Sequence, residues 1–108
     1  MAVFASKQIV MPVLPIAVTI TGSGNSTSCY AIINGAKQYS AGTHEVNSGD
    51  TITFGVLGWV KIDGTQVLET TGQSTETYDW TVPSGISAIE IAMELIPFSH
   101  STITVTTA

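Results

Sequence analysis

Arginine is absent from this chain of 108 residues, and lysine occurs three times, at Lys7, Lys37 and Lys61. Against eight acidic side chains this leaves a formal net charge of -5. Proteins that grip nucleic acid neutralise phosphates with clustered Lys and Arg, so no nucleic-acid partner is expected. Charge of either sign is scarce: 10% of the residues are charged, where soluble domains carry roughly 25%. Polarity comes from Ser, Thr, Asn and Gln instead, while 44% of the residues are hydrophobic and the mean hydropathy is +0.35. A partner can cover such a surface with few ions stranded beneath it. That favours a protein that lives in an assembly.

Cysteine is nearly missing. Cys29 has no second cysteine to join, so no internal disulfide is available and the fold does not depend on an oxidising compartment. It reads as a small buried hydrophobe, because no His or basic residue lies near it in sequence to activate the thiol. A long uninterrupted apolar run is missing too. Residues 9–20 come nearest, but Pro12 and Pro15 break them and they are too short to span a bilayer. No Ala-x-Ala site follows, which argues against a secretory signal. No membrane insertion is expected. The prolines instead favour an extended arm over residues 1–15, turning into an edge strand over residues 16–21. Such an arm either lies along its own domain or docks on a neighbouring subunit, with Val10, Met11, Val13, Leu14 and Ile16 as its contact residues.

What the sequence does have is alternation with a period of two. In residues 51–56 Ile52, Phe54 and Val56 fall on one face, and Thr51, Thr53 and Gly55 on the other, the pattern of a half-buried strand. A turn, Asn47-Ser48-Gly49-Asp50, precedes it. Asn34-Gly35 and Asp63-Gly64 are hairpin dipeptides, because both central positions of a type I′ turn need positive φ. They join residues 28–33 to 36–39, and 59–62 to 65–69. Ser40-Ala41-Gly42 reads as a further turn. Residues 75–82 place Tyr78, Trp80 and Val82 on one face. In residues 88–96 Ile89, Ile91, Met93 and Leu95 face one way, with Ala88, Glu90, Ala92 and Glu94 opposite. That stretch is rich in helix formers, yet its strict alternation predicts a strand. Residues 102–107 close the pattern with Ile103 and Val105 inward.

Seven to nine short strands, with turn signals every ten or so residues, predict an all-β protein. The expected architecture is an antiparallel Greek-key sandwich of immunoglobulin type over residues 16–108. Trp59 or Trp80 is expected as its central aromatic.

Candidate sites are few. Glu45, Asp50, Asp63 and Asp79 could supply oxygen to calcium, but Asp50 and Asp63 sit where turns favour Asp on its own account, and no calcium-loop spacing exists. His44 and His100 lack metal-ligand spacing, so neither metal nor cofactor is expected. No Gly-x-Ser-x-Gly elbow or nucleophile context supports catalysis, and no enzymatic role is expected. Of the aromatic residues Tyr30, Tyr39, Trp59, Tyr78 and Trp80, most read as core. Trp59, after Gly58 at a strand edge, is the candidate for stacking on a glycan. Glu90 and Glu94 read as a solvated strand face that also discourages edge-to-edge pairing.

The run HEVNSGDTITFGV, the hairpin VKIDGTQVL, the segment TYDWTVPSGISAIEIAMEL and the terminal TITVTT resemble small immunoglobulin-like proteins of tailed bacteriophage virions, which also occur as modules of bacterial surface proteins. The resemblance implies a non-enzymatic structural subunit of a phage particle, as a capsid decoration, neck or tail-associated protein. Its partners would be other virion proteins or further copies of itself, sometimes a host-surface glycan, and its location the virion. The alternative it leaves open is an adhesin or carbohydrate-binding module, secreted or on a bacterial surface.

Overall fold

The alternation of residues 51–56 is borne out in the computed structural model, which describes residues 14–96 and 100–108. Ile52, Phe54 and Val56 are fully buried. Ten strands form among the described residues, and no helix. They are β1 (Ile16–Ser23), β2 (Cys29–Ile33), β3 (Ala36–Gln38), β4 (Ser40–Val46), β5 (Thr51–Val56), β6 (Gly58–Ile62), β7 (Thr65–Glu69), β8 (Glu76–Thr81), β9 (Ala88–Leu95) and β10 (Ser101–Thr107). Both hairpin dipeptides turn as their chemistry demands: Asn34 and Gly35 have φ of 53° and 79°, Asp63 and Gly64 of 49° and 85°.

The strands make two sheets, one of six in the order β4-β1-β9-β10-β6-β7 and one of four in the order β3-β2-β5-β8. Their apolar faces meet in one core. Val18, Ile20, Val60, Ile89, Ile91, Ile103 and Val105 enter it from the larger sheet, and Ala31, Ile33, Ile52, Phe54 and Val56 from the smaller. Each fully buried side chain of this size contributes about 1.5–3 kcal/mol. Phe54 is the largest of them. The expected central tryptophan is replaced by this phenylalanine. Trp80 packs beside it half-buried, its ring centre 6.2 Å away and tilted by 36°, while Trp59 lies on the outside.

Three further expectations are corrected. The strands number ten among the described residues, because Ser40-Ala41-Gly42 is extended chain within β4 and not a turn. The chain crosses there between sheets, from β3 to β4, with Gly24 N–H bonded to Tyr39 O at 2.8 Å. The sheets are not wholly antiparallel: β1 runs parallel to β9, and β6 parallel to β10. Nor is the first strand an edge. Its prolines end at Pro15, so every residue from Ile16 onward keeps an N–H for the ladder, and β1 pairs with both β4 and β9.

A second crossing takes a single residue. β5 and β6 belong to different sheets and only Leu57 separates them. Gly58 makes the corner passable, since a Cβ there would fall onto the Ser101 carbonyl oxygen. Ser101 then ties the sheets together. Its hydroxyl donates to Ser28 O and accepts from Leu57 N–H at 3.0 Å, while its own N–H bonds Leu57 O at 2.9 Å.

Candidate interaction surfaces

The core opens with Ile16, which is 4% exposed and packed among β-strand side chains of its own sandwich. Of the five expected arm contacts it is therefore spent inside the domain. Leu14, two residues earlier, is 80% exposed. Val10, Met11 and Val13 lie outside the described residues. Among the described residues, burial in the core begins at Ile16.

Trp59 faces outward from β6. In register it lies between Glu69 of β7 and Thr102 of β10. Alternation puts Lys61 on the same face two residues along, and its Nζ sits 4.4 Å from the centre of the Trp59 ring. The quadrupole of the indole face attracts the ammonium. A sugar stacking on that face would have to displace the lysine. Beside it Gln66 donates to Glu69 Oε2 at 2.8 Å, so the surroundings of the ring are polar and already bonded to one another.

Among the described residues, the large exposed apolar side chains other than Leu14 gather at one end of the sandwich. Tyr39, Leu95 and Ile96 belong to the end that carries the β3–β4 crossing and the close of β9, and Leu14 to the opposite end, where β1 starts. Alternation failed for Leu95 alone in its strand: Ile89, Ile91 and Met93 are buried as expected, but Leu95 lies past the last β1 partner and is 40% exposed.

The acidic positions separate according to local chemistry. Asp50 Oδ2 accepts from Asn47 N–H at 2.9 Å within its own turn, and Asp79 Oδ1 accepts from the Thr53 hydroxyl at 2.7 Å across β5 and β8. Asp63 accepts from Thr107 twice, from the hydroxyl at 2.6 Å and from N–H at 2.8 Å. Those bonds, the hydroxyl first, hold its carboxyl below the ordinary carboxylate value. Among the described residues no three His, Cys, Asp or Glu side chains come together as metal ligands would. His44 is half-buried on β4 and His100 is exposed before β10. His44 instead helps line a shallow open cleft with Ala17, Asn34, Thr43 and Glu45, in which Asn34 Nδ2 donates to Glu45 O at 3.1 Å.

Of two residues with clear structural work, Ser101 was not singled out from the sequence and Tyr30 was named only among the aromatics, without its role. Ser101 is 2% exposed and bridges the sheets; a lone serine in a turn offers no pattern that would mark it. Tyr30 is buried on the outward side of β2, and its ring covers Gly55. The signal for that pair was on the page of the sequence, a glycine at an outward position inside a strand, which often means that something lies across it. Comparison with models of protein families, with characterised proteins and with solved structures finds no match to this chain.

Proposed function

We propose that this chain is a non-enzymatic structural protein of a phage particle, a capsid decoration, neck or tail-associated subunit that acts through protein–protein contacts. The observation that carries the reading is the exposed Leu14 at the end of an apolar stretch. Ile16 is the first buried residue among those described, Leu14 before it stands in solvent, and residues 9–13 are wholly apolar in sequence. An apolar side chain exposed as Leu14 is, continuing an apolar segment, is available to a neighbour. The low charge content supports the same reading, and many copies on a symmetric particle make weak single contacts sufficient. Two packed sheets with non-consecutive neighbours support an immunoglobulin-like class for the sandwich; the division into six and four strands departs from the four-and-three arrangement of constant-type domains.

Light scattering on a sizing column, for the full chain and for a chain starting at Ile16, tests this. A defined oligomer that truncation reduces to a folded monomer supports docking through the arm. Incorporation of the truncated chain into particles at full occupancy would overturn it.

The second reading is a glycan-binding module, favoured by the outward Trp59 with its polar neighbours. It requires glycan affinity that Trp59→Ala abolishes while the fold persists.

A further inference from the structure

Among the described residues the sandwich has four sheet edges, and three of them are guarded. β3 is three residues long and carries Lys37. β7 is broken by a register shift against Val60 and Lys61, and β4 contains Gly42 and faces the irregular stretch between Ile20 and Ser23. Shortness, lysine and bulges are the devices by which natural edges refuse further strands. β8 has none of these three; its guard is acidic only, Glu76 and Asp79, which repels another acidic strand but not a basic one. It is six residues long, pairs with β5 in unbroken register from Glu76 to Thr81, and contains no Lys, Pro or Gly.

The side of β8 that faces away from β5 can be read from the ladder. Val82 N–H bonds Asp50 O at 2.8 Å. Antiparallel pairs alternate between bonded and non-bonded, so Trp80, Tyr78 and Glu76 direct their backbone groups toward β5. Thr77, Asp79 and Thr81 direct theirs outward. Among the described residues no backbone or side-chain partner meets them. This is a row of donors and acceptors at the two-residue spacing that an added strand would satisfy.

We propose that this edge receives the N-terminal arm of a second copy of the chain as an added strand, residues 2–11 lying along β8. The inference rests on the assembly reading above and names the contact that reading needs. Residues 2–11 are ten positions without proline, enough to pair all six of β8, and they include Val3, Phe4, Ile9 and Val10. Pro12 ends the run, as proline ends any strand that must donate. The charges are complementary. Lys7 is the one charged side chain among the first thirteen residues, while β8 offers Glu76 and Asp79 and no cation. The occupant is assigned to another copy because the assembly reading requires a contact between chains, which an arm folded back on its own β8 would not supply.

Point variants of the full chain, read by light scattering with circular dichroism as the control for folding, test the contact. Thr77→Pro removes an outward N–H without touching the β5 ladder, and is expected to convert the oligomer to monomer. Asp79→Lys is expected to weaken association about tenfold by setting like charges across the pair, and Lys7→Glu added to it to restore association. An oligomer unchanged in Thr77→Pro and in Asp79→Lys would overturn this site while leaving arm-mediated assembly intact. A wild-type chain that is monomeric at every concentration would overturn exchange between copies, and docking onto a different virion protein would be tested separately by particle incorporation. Should Thr77→Pro unfold, the charge reversal and its rescue decide alone.

Discussion

The ring of Tyr30 lies across Gly55, its partner in register on the neighbouring strand, with the Lys37 ammonium 4.3 Å from the ring centre on the same outer face. A strand glycine offers no side chain to pack and leaves backbone open to water. The aromatic ring supplies the missing cover, as in the rescue of sheet glycines by an aromatic neighbour. Lysine adds a cation–π contact, and its Nζ also donates to Ser26 O at 2.9 Å. Gly55→Ala gains strand propensity but sets a methyl group into the ring. Overpacking of this kind costs about 1–3 kcal/mol, so urea denaturation is expected to show a net loss of stability. Tyr30→Ala should also destabilise, and the double variant should lose less than the sum of the two. Strict additivity would mean that the ring does not depend on the glycine.

Ser101 is expected to matter more than an ordinary serine. Ser101→Ala deletes one donor and one acceptor where Ser28 O and Leu57 N–H are part-buried. Loss of about 1–2 kcal/mol is expected, moderated because Leu57 N–H keeps a bond to Ser28 O at 3.1 Å. A midpoint unchanged in urea would assign the tie between the sheets to the backbone bonds alone.

Asp63 couples the β6–β7 turn to the end of β10, and this coupling depends on pH. Its carboxyl titrates lower in the folded chain than in the unfolded one because Thr107 bonds the charged form. A depressed folded value gives a contribution that is fully present above the unfolded value and lost as pH falls through the folded one. Melting temperature is therefore expected to drop on acidification below the ordinary Asp range. Asp63→Asn keeps a residue that tolerates the positive φ, and should lower the melting temperature at neutral pH. The gap between variant and wild type should close in acid. A constant gap would place the effect in the turn and not in ionisation.

Cys29 is fully buried, and burial pushes its thiol above the usual range. It is expected to resist thiol reagents in the native protein at neutral pH and to react at once in denaturant. Rapid labelling of the native chain would show that the start of β2 opens locally without global unfolding.

The faces of the strands were legible in the sequence, and their neighbours were not. Alternation assigned Ile52, Phe54, Val56, Tyr78, Trp80, Ile89 and Ile91 to the inner side, and Asn34-Gly35 and Asp63-Gly64 announced their hairpins, because side-chain period and positive φ are local properties. Lateral order is not local. Nothing in residues 16–23 says that they pair with residues 88–93, and parallel pairing leaves no turn to announce it. The crossings at Tyr39 and Leu57 were only half legible: Ser40-Ala41-Gly42 and Gly58 mark a change of direction, but a change of sheet and a reversal within one sheet leave the same local signal. Arm residues and Trp59 were chosen from apolar content and position. That β8 is an edge among the described residues is a property of topology, visible only once its neighbours are known.

The parallel pair of β1 and β9 also orders events in time. The two strands are separated by more than sixty intervening residues, and the entropy of closing so large a loop must be met before the pairing yields any gain. β1 can meet β4 early, but its other flank stays open until residues 88–93 have been made. Through that interval Ile16, Val18 and Ile20 have half a shelter. Topologies of this kind fold in milliseconds to seconds, and here a strand made late completes the setting of one made early.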